Sequence, residues 1–151
     1  MKSAKKSETA QVELSDAEGR TETLAASPVG RGLYSLEESP AFAYSVSLHD
    51  VVRARRGRDG RLRFAGVVEK SGNRTLRLIF ARLSIQSEAA QTILESLAAL
   101  GCRHDNAQAA VVSINVPAEA SLAEVAGYLK TLGMWWEHAD PTFEELYAET
   151  D

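Results

Sequence analysis

Gly57-Arg58-Asp59-Gly60 stands between two segments of β character, Leu48 to Arg56 (LHDVVRARR) and Arg61 to Glu69 (RLRFAGVVE). An Asp-Gly pair between alternating runs is a strong local hairpin signal, because tight hairpin turns need residues that tolerate positive φ. The two-residue period of a strand then sorts the side chains. Leu62, Phe64 and Val68 fall on one face and Arg61 and Arg63 on the other, while Arg53 and Arg55 fall opposite Val52 and Ala54. A turn at Ser71-Gly72-Asn73 leads into a third run, Thr75 to Ala81, with Leu76, Leu78 and Phe80 on one face and Arg77 on the other. The pattern predicts three consecutive antiparallel strands with an apolar face and an arginine-bearing face.

Upstream, residues 1–10 are polar and lysine-rich and read as a disordered start. Val12 and Leu14 begin a strand, Asp16 to Arg20 carries turn chemistry, and Thr21 to Val29 and Gly32 to Leu36 read as two more strands. Pro40 and the following Phe42-Ala43-Tyr44 are expected to be irregular.

After Arg82 the period becomes helical. Ser87, with Ser84 as the alternative, caps a helix whose stripe is Ile93, Leu94, Leu97 and Leu100, and Gly101 ends it. Ala110 to Val116 is a strand ended by Pro117. Ser121-Leu122-Ala123-Glu124 is a capping box opening a helix with Leu122, Val125, Leu129 and Leu132 on one face, stopping at Gly133. Met134 to His138 reads as a last strand, and Asp140-Pro141 caps a short acidic helix with Phe143, Leu146 and Tyr147.

The resulting fold class is α+β. An N-terminal bent antiparallel sheet or small β-barrel (residues 11–82) is joined to a ferredoxin-like β-α-β-α-β half (residues 75–138). The strand at Thr75 is shared between the two, and residues 139–151 form an acidic C-terminal helix and tail.

The block from Ser47 to Phe80, together with Gly32-Leu33-Tyr34, Leu100-Gly101-Cys102 and Val111 to Pro117, resembles a bacterial family, the domain of unknown function numbered 4265. The resemblance runs from Val12 to His138. It implies a small cytoplasmic bacterial protein and brings no catalytic residues with it. The lysine-rich N-terminus and the acidic C-terminal helix look like additions of this chain.

The net charge of −4 conceals a strong polarity. Residues 53–82 hold ten basic residues against Asp59 and Glu69, a net of +8, and the remaining seven basic and nineteen acidic residues sum to −12. The simplest account is internal neutralisation, with acidic segments packed near the basic sheet. A lone cysteine, Cys102, cannot make an internal disulfide, which fits a reducing compartment such as the cytoplasm. No apolar run approaches a membrane span, so no membrane partner is expected.

Catalytic and cofactor chemistry finds little purchase. Cys102, His104 and Asp105 are close in sequence, yet a small buried thiol beside a surface histidine accounts for them. His49, His104 and His138 lie in separate segments without metal-ligand spacing, and no phosphate-loop motif occurs. No metal, cofactor or catalytic set is therefore expected. Two binding surfaces remain. The acidic end, with Glu137, Asp140, Glu144, Glu145 and Glu149 beside Trp135 and Trp136, fits a protein partner, as in an immunity or antitoxin-type protein that occludes a cognate toxin domain. Of the two tryptophans, one is expected to point into the core and one outward, where Phe143 or Tyr147 would cover it. The alternative is a nucleic-acid or anion-binding module using Arg53, Arg55, Arg61, Arg63 and Arg77. An enzyme of unknown class is the third reading. A monomer or homodimer suits any of these.

Overall fold

The computed structural model describes residues 9–80, 86–108 and 110–147. Two sheets are present among them. Strands β1 (Ala10–Ser15), β2 (Thr21–Gly30), β3 (Leu33–Leu36), β4 (Val51–Arg56) and β5 (Leu62–Glu69) close into a barrel. Neighbours are antiparallel around the barrel until β5 meets β1 in parallel, through Val12 opposite Leu62 and Glu13 opposite Arg63. The chain then forms β6 (Arg74–Ile79), helix α1 (Glu88–Ala99), β7 (Arg103–Gln108), β8 (Val111–Val116), helix α2 (Leu122–Lys130), β9 (Trp136–Asp140) and helix α3 (Phe143–Tyr147). The second sheet has the order β7-β8-β6-β9, antiparallel throughout. The α+β class and the barrel agree with the expectation.

Each sheet has its own core. Val12, Leu14, Leu24, Ala26, Leu36, Val52, Ala54 and Leu62 alternate along their strands and fill the barrel. Leu76, Leu78 and Phe80 of the second sheet pack with Val112, Ile114 and Val116 against Ile93, Leu94 and Leu97 of α1 and Val125 and Leu129 of α2. Ser87 caps α1, its hydroxyl accepting from the Ala90 amide at 3.1 Å, and Ser121 caps α2 by accepting from the Glu124 amide at 3.1 Å. Ser84, the alternative cap, and Arg82 lie outside the described residues.

Four readings are corrected. β6 does not extend the antiparallel run from β5 and is not shared between sheets; it pairs with β8 and β9, while β5 closes on β1. A turn signal states where a chain bends, whereas the partner of the next strand is set by which edge buries Leu76 and Leu78. The second is β7, a strand the sequence reading does not place between α1 and β8. Arg-His-Asp-Asn-Ala-Gln has no apolar alternation, and its extended form comes from pairing with β8 at the sheet edge. The third is Val68, placed on the apolar face but 51% exposed, with Val67 on the core instead. The ladder shifts between Arg53 and Ala54, where Gly66 takes φ of 136°, and this bulge inverts the alternation downstream. Fourth, Ala10 already pairs with Ala26 within β1, and Ala139 and Asp140 belong to β9, so the N-terminal segment ends earlier and the C-terminal one begins later than expected. Residues 1–8 lie outside the described residues.

Candidate functional site

The face of the second sheet opposite its helices is polar: Thr75, Arg77, Ser113, Asn115 and Glu137 lie there. It is not solvated. Residues 39–50, between β3 and β4, lie across it. The Ser113 hydroxyl donates to the Pro40 carbonyl at 2.6 Å, and the Asp105 carboxylate accepts from the Ser39 amide at 3.0 Å. From the barrel side, buried Glu22 accepts three backbone amides of the same segment, Ala41 at 2.7 Å and Phe42 and Ala43 at 2.9 Å. A carboxylate that receives three amides replaces the ladder hydrogen bonds this irregular stretch lacks.

Arg77 belongs to this covered face. It is 3% exposed, donates to the Phe42 and Ala43 carbonyls, and sits 3.2 Å from the Glu137 carboxylate and under the Tyr44 ring, 4.9 Å from its centroid. Burial pulls its pKa below the usual arginine value, against the opposing pull of Glu137. Arg77 is thereby removed from any anion-binding surface. Tyr44 also donates to both oxygens of Glu137, at 2.8 and 3.0 Å. Burial, then that hydrogen bond, raises its pKa.

Asp140 is likewise internal, and it does not cap α3. Its carboxylate accepts from the Ser47 hydroxyl at 2.5 Å and from Lys70 at 2.6 Å. Lys70 also reaches buried Asp50 at 2.6 Å, and Ser47 is 2.6 Å from Thr75 Oγ1. The cap of α3 is Thr142, whose hydroxyl accepts from the Glu145 amide while Glu145 accepts from the Thr142 amide. The Thr-x-x-Glu spacing of Thr142 and Glu145 is the sequence signature of this cap. Glu145 is also 3.3 Å from the Ser45 hydroxyl. Glu149 lies outside the described residues.

What remains exposed forms a groove of about 1040 Å³ over β9. Leu122, Ala126 and Lys130 of α2 form one wall and Phe143, Leu146 and Tyr147 of α3 the other. Trp136 and His138 make the floor, edge to face with ring centroids 5.1 Å apart. Glu137, Glu144 and Tyr44 also line it. Phe143 is 59% exposed and Tyr147 49%, their rings 4.5 Å apart. As read, one tryptophan packs on the core, namely Trp136. Trp135 is 61% exposed, so α3 does not cover it. Burial, then Lys130, lowers the pKa of His138.

The remaining arginines stand on the barrel's outer wall. Arg53, Arg55, Arg61 and Arg63 are all exposed. Arg63 pairs with Asp59 at 2.8 Å, and Arg61 and Arg63 lie 3.7 and 3.8 Å from Glu13. Neutralisation inside the chain is therefore real but local.

Among the described residues Cys102, His49 and His104 form no nucleophile–base pair. Burial pushes the Cys102 thiol up to about 11, so it is protonated at neutral pH. His104 is exposed on β7, and His49, within the covering segment, is exposed and lies 3.9 Å from Glu37. Among the described residues no group of three or more His, Cys, Asp or Glu is arranged to hold a metal, and no helix is long and apolar enough to cross a membrane.

No curated protein matches this chain. A crystal structure titled a novel structure of a hypothetical protein from Neisseria gonorrhoeae shares the fold. Its TM-score is 0.72 at 19% identity, over 90% of this chain and 97% of that one. The family model described as "Domain of unknown function (DUF4265)" matches residues 22–137, which take in β2 to β5 of the barrel but not β1, the covering segment, and the second sheet as far as Glu137. The chain belongs to the DUF4265 family.

Proposed function

We propose that this protein is a non-catalytic module that binds another protein through the groove over β9. The observation that carries the reading is the pair Phe143 and Tyr147, large aromatics left exposed side by side in a groove floored by Trp136. Aromatic side chains in a concave site are the usual anchors of protein interfaces. Glu144 in the lining favours a partner segment that carries basic residues beside apolar ones. An immunity or antitoxin-type role, in which the groove takes a segment of a basic toxin domain, is the specific form we favour. A bacterial cytoplasmic setting suits the lone reduced cysteine. We also read the second half as ferredoxin-like, supported by its element order β-α-β-β-α-β and its antiparallel strand order β7-β8-β6-β9.

The test is affinity capture from the native cytoplasm with the wild type and with F143A/Y147A, followed by titration of each captured protein with the purified chains. A partner that binds the wild type and loses at least about tenfold in affinity to the double variant, one tenfold step being about 1.4 kcal/mol, supports the reading. Partners that bind both forms equally refute it.

A further inference from the structure

The outer wall of the barrel carries a charge pattern that the fold does not use. Arg53 and Arg55 alternate along β4 and both point outward. Arg55 lies directly opposite Arg63 on β5, a like-charge pairing that costs stability in a sheet. Arg53 lies opposite Gly66, which has no side chain, so the surface beside it is open. Arg31, in the turn between β2 and β3, is brought alongside by the hydrogen bond from the Ala54 amide to the Gly32 carbonyl, and Arg58 is exposed at the hairpin tip. Among the described residues Arg31, Arg53, Arg55 and Arg58 have no carboxylate within ion-pairing distance, whereas Asp59 and Glu13 engage Arg61 and Arg63 at one border. Glu69, opposite Val51, marks the other.

We infer that this wall binds the phosphate backbone of double-stranded nucleic acid, independently of sequence. Residues two apart on a strand are about 6.7 Å apart. One strand of a duplex presents a phosphate about every 3.4 Å of its axis, so the long side chains of Arg53 and Arg55 can each reach a phosphate of the same strand. Guanidinium groups match phosphate geometry through paired hydrogen bonds. Single-strand binding relies on exposed aromatics for base stacking. The exposed aromatics Tyr44, Trp135, Phe143 and Tyr147 all lie outside this wall, and its own Tyr34 and Phe64 pack on the barrel core. A duplex is thus favoured over a single strand. The wall is distinct from the groove over β9, so either surface can fail without the other.

The experiment is fluorescence anisotropy of the full chain with a labelled DNA duplex of about 20 base pairs, from about 50 to about 200 mM salt. The arms are a second duplex of unrelated sequence, the single strand, and vesicles of phosphatidylglycerol and phosphatidylcholine. The expected result is binding to both duplexes alike and more weakly to the single strand, with log affinity falling linearly against log salt. R53A/R55A should reduce that slope by about two. D59N should tighten binding by freeing the Arg63 guanidinium, a gain that misfolding cannot mimic. The inference is overturned by no duplex binding at low salt, by binding that R53A/R55A leaves unchanged, by stronger binding to the single strand, or by binding to anionic vesicles alone.

Discussion

The Lys70 ammonium lies 2.6 Å from Asp50 and 2.6 Å from Asp140, so one cation joins the chain entering β4 to the end of β9. The barrel and the second sheet meet at this point. Both carboxylates are buried, Asp50 completely, while Lys70 keeps about half its side chain in solvent. Asp50 also accepts the amides of Ser47 and Ser71 at 2.9 and 2.8 Å, which fixes both chain segments around it.

Replacing Lys70 by Met leaves two buried carboxylates without their cation. Breaking a fully buried pair costs about 3–5 kcal/mol. Solvent screening at the half-exposed lysine reduces the expectation to about 1–3 kcal/mol in urea unfolding at neutral pH. Burial pulls the Lys70 pKa down, but the hydrogen bonds to Asp140 and Asp50 outweigh it and hold the value above that of free lysine. This stabilisation is complete below the unfolded value of about 10.4 and is lost as pH rises through the folded one. Unfolding curves from about pH 8 to about pH 11 should show that alkaline loss in the wild type and a much smaller one in K70M.

Glu22→Leu should be among the more damaging single changes in the barrel. It leaves the amides of Ala41, Phe42 and Ala43 without their acceptor. Each buried amide without a partner costs about 1–3 kcal/mol, and partial rehydration of the segment sets the expectation at about 2–4 kcal/mol by denaturant unfolding. Amide exchange at residues 41–43 should accelerate in the variant, with the strands of the barrel remaining protected.

Arg77 and Arg55 occupy equivalent alternating positions in the sequence yet should respond differently. Arg77→Ala removes a buried partner of Glu137 and two carbonyls, for about 3–5 kcal/mol. Arg55→Ala removes an exposed charge facing Arg63 and should leave stability within about 0.5 kcal/mol, or raise it slightly. Thermal unfolding of the two variants side by side is the measurement.

Asp59 is held down to about 2, chiefly by the Arg63 guanidinium and then by the Arg61 amide. Its folded pKa lies below the unfolded one, so its contribution is present above pH 3.8 and is lost as pH falls towards about 2. The Asp59 carboxyl resonance followed by NMR should titrate in that lower range, and R63A should move it back towards 3.8.

Cys102 should alkylate slowly at neutral pH and faster as pH approaches about 11, where its buried thiol ionises. Rapid modification by iodoacetamide near pH 7 would contradict the packing of Cys102 against the helical core.

Much of the secondary structure could be read directly. The Asp-Gly hairpin, the apolar alternation of Leu76, Leu78 and Phe80, and the serine caps of α1 and α2 are local rules, decided by residues within a few positions of one another. The sequence also separated the arginines from the apolar face, because a strand's period needs no knowledge of its partner. What it could not determine was what lies over each face. The 39–50 segment has no period of its own; it settles on the second sheet because Glu22, Ser113 and Arg77 satisfy its backbone. That one placement buries Arg77 and leaves Arg55 in solvent. It also sets Tyr44 against Glu137, and the Lys70 contact at its far end draws Asp140 inward from the acidic end. The pairing of β5 with β1, the extended form of β7 and the inversion at Gly66 are likewise long-range outcomes. They depend on which edges and faces remain available once both cores are buried, and distance along the chain carries no record of that.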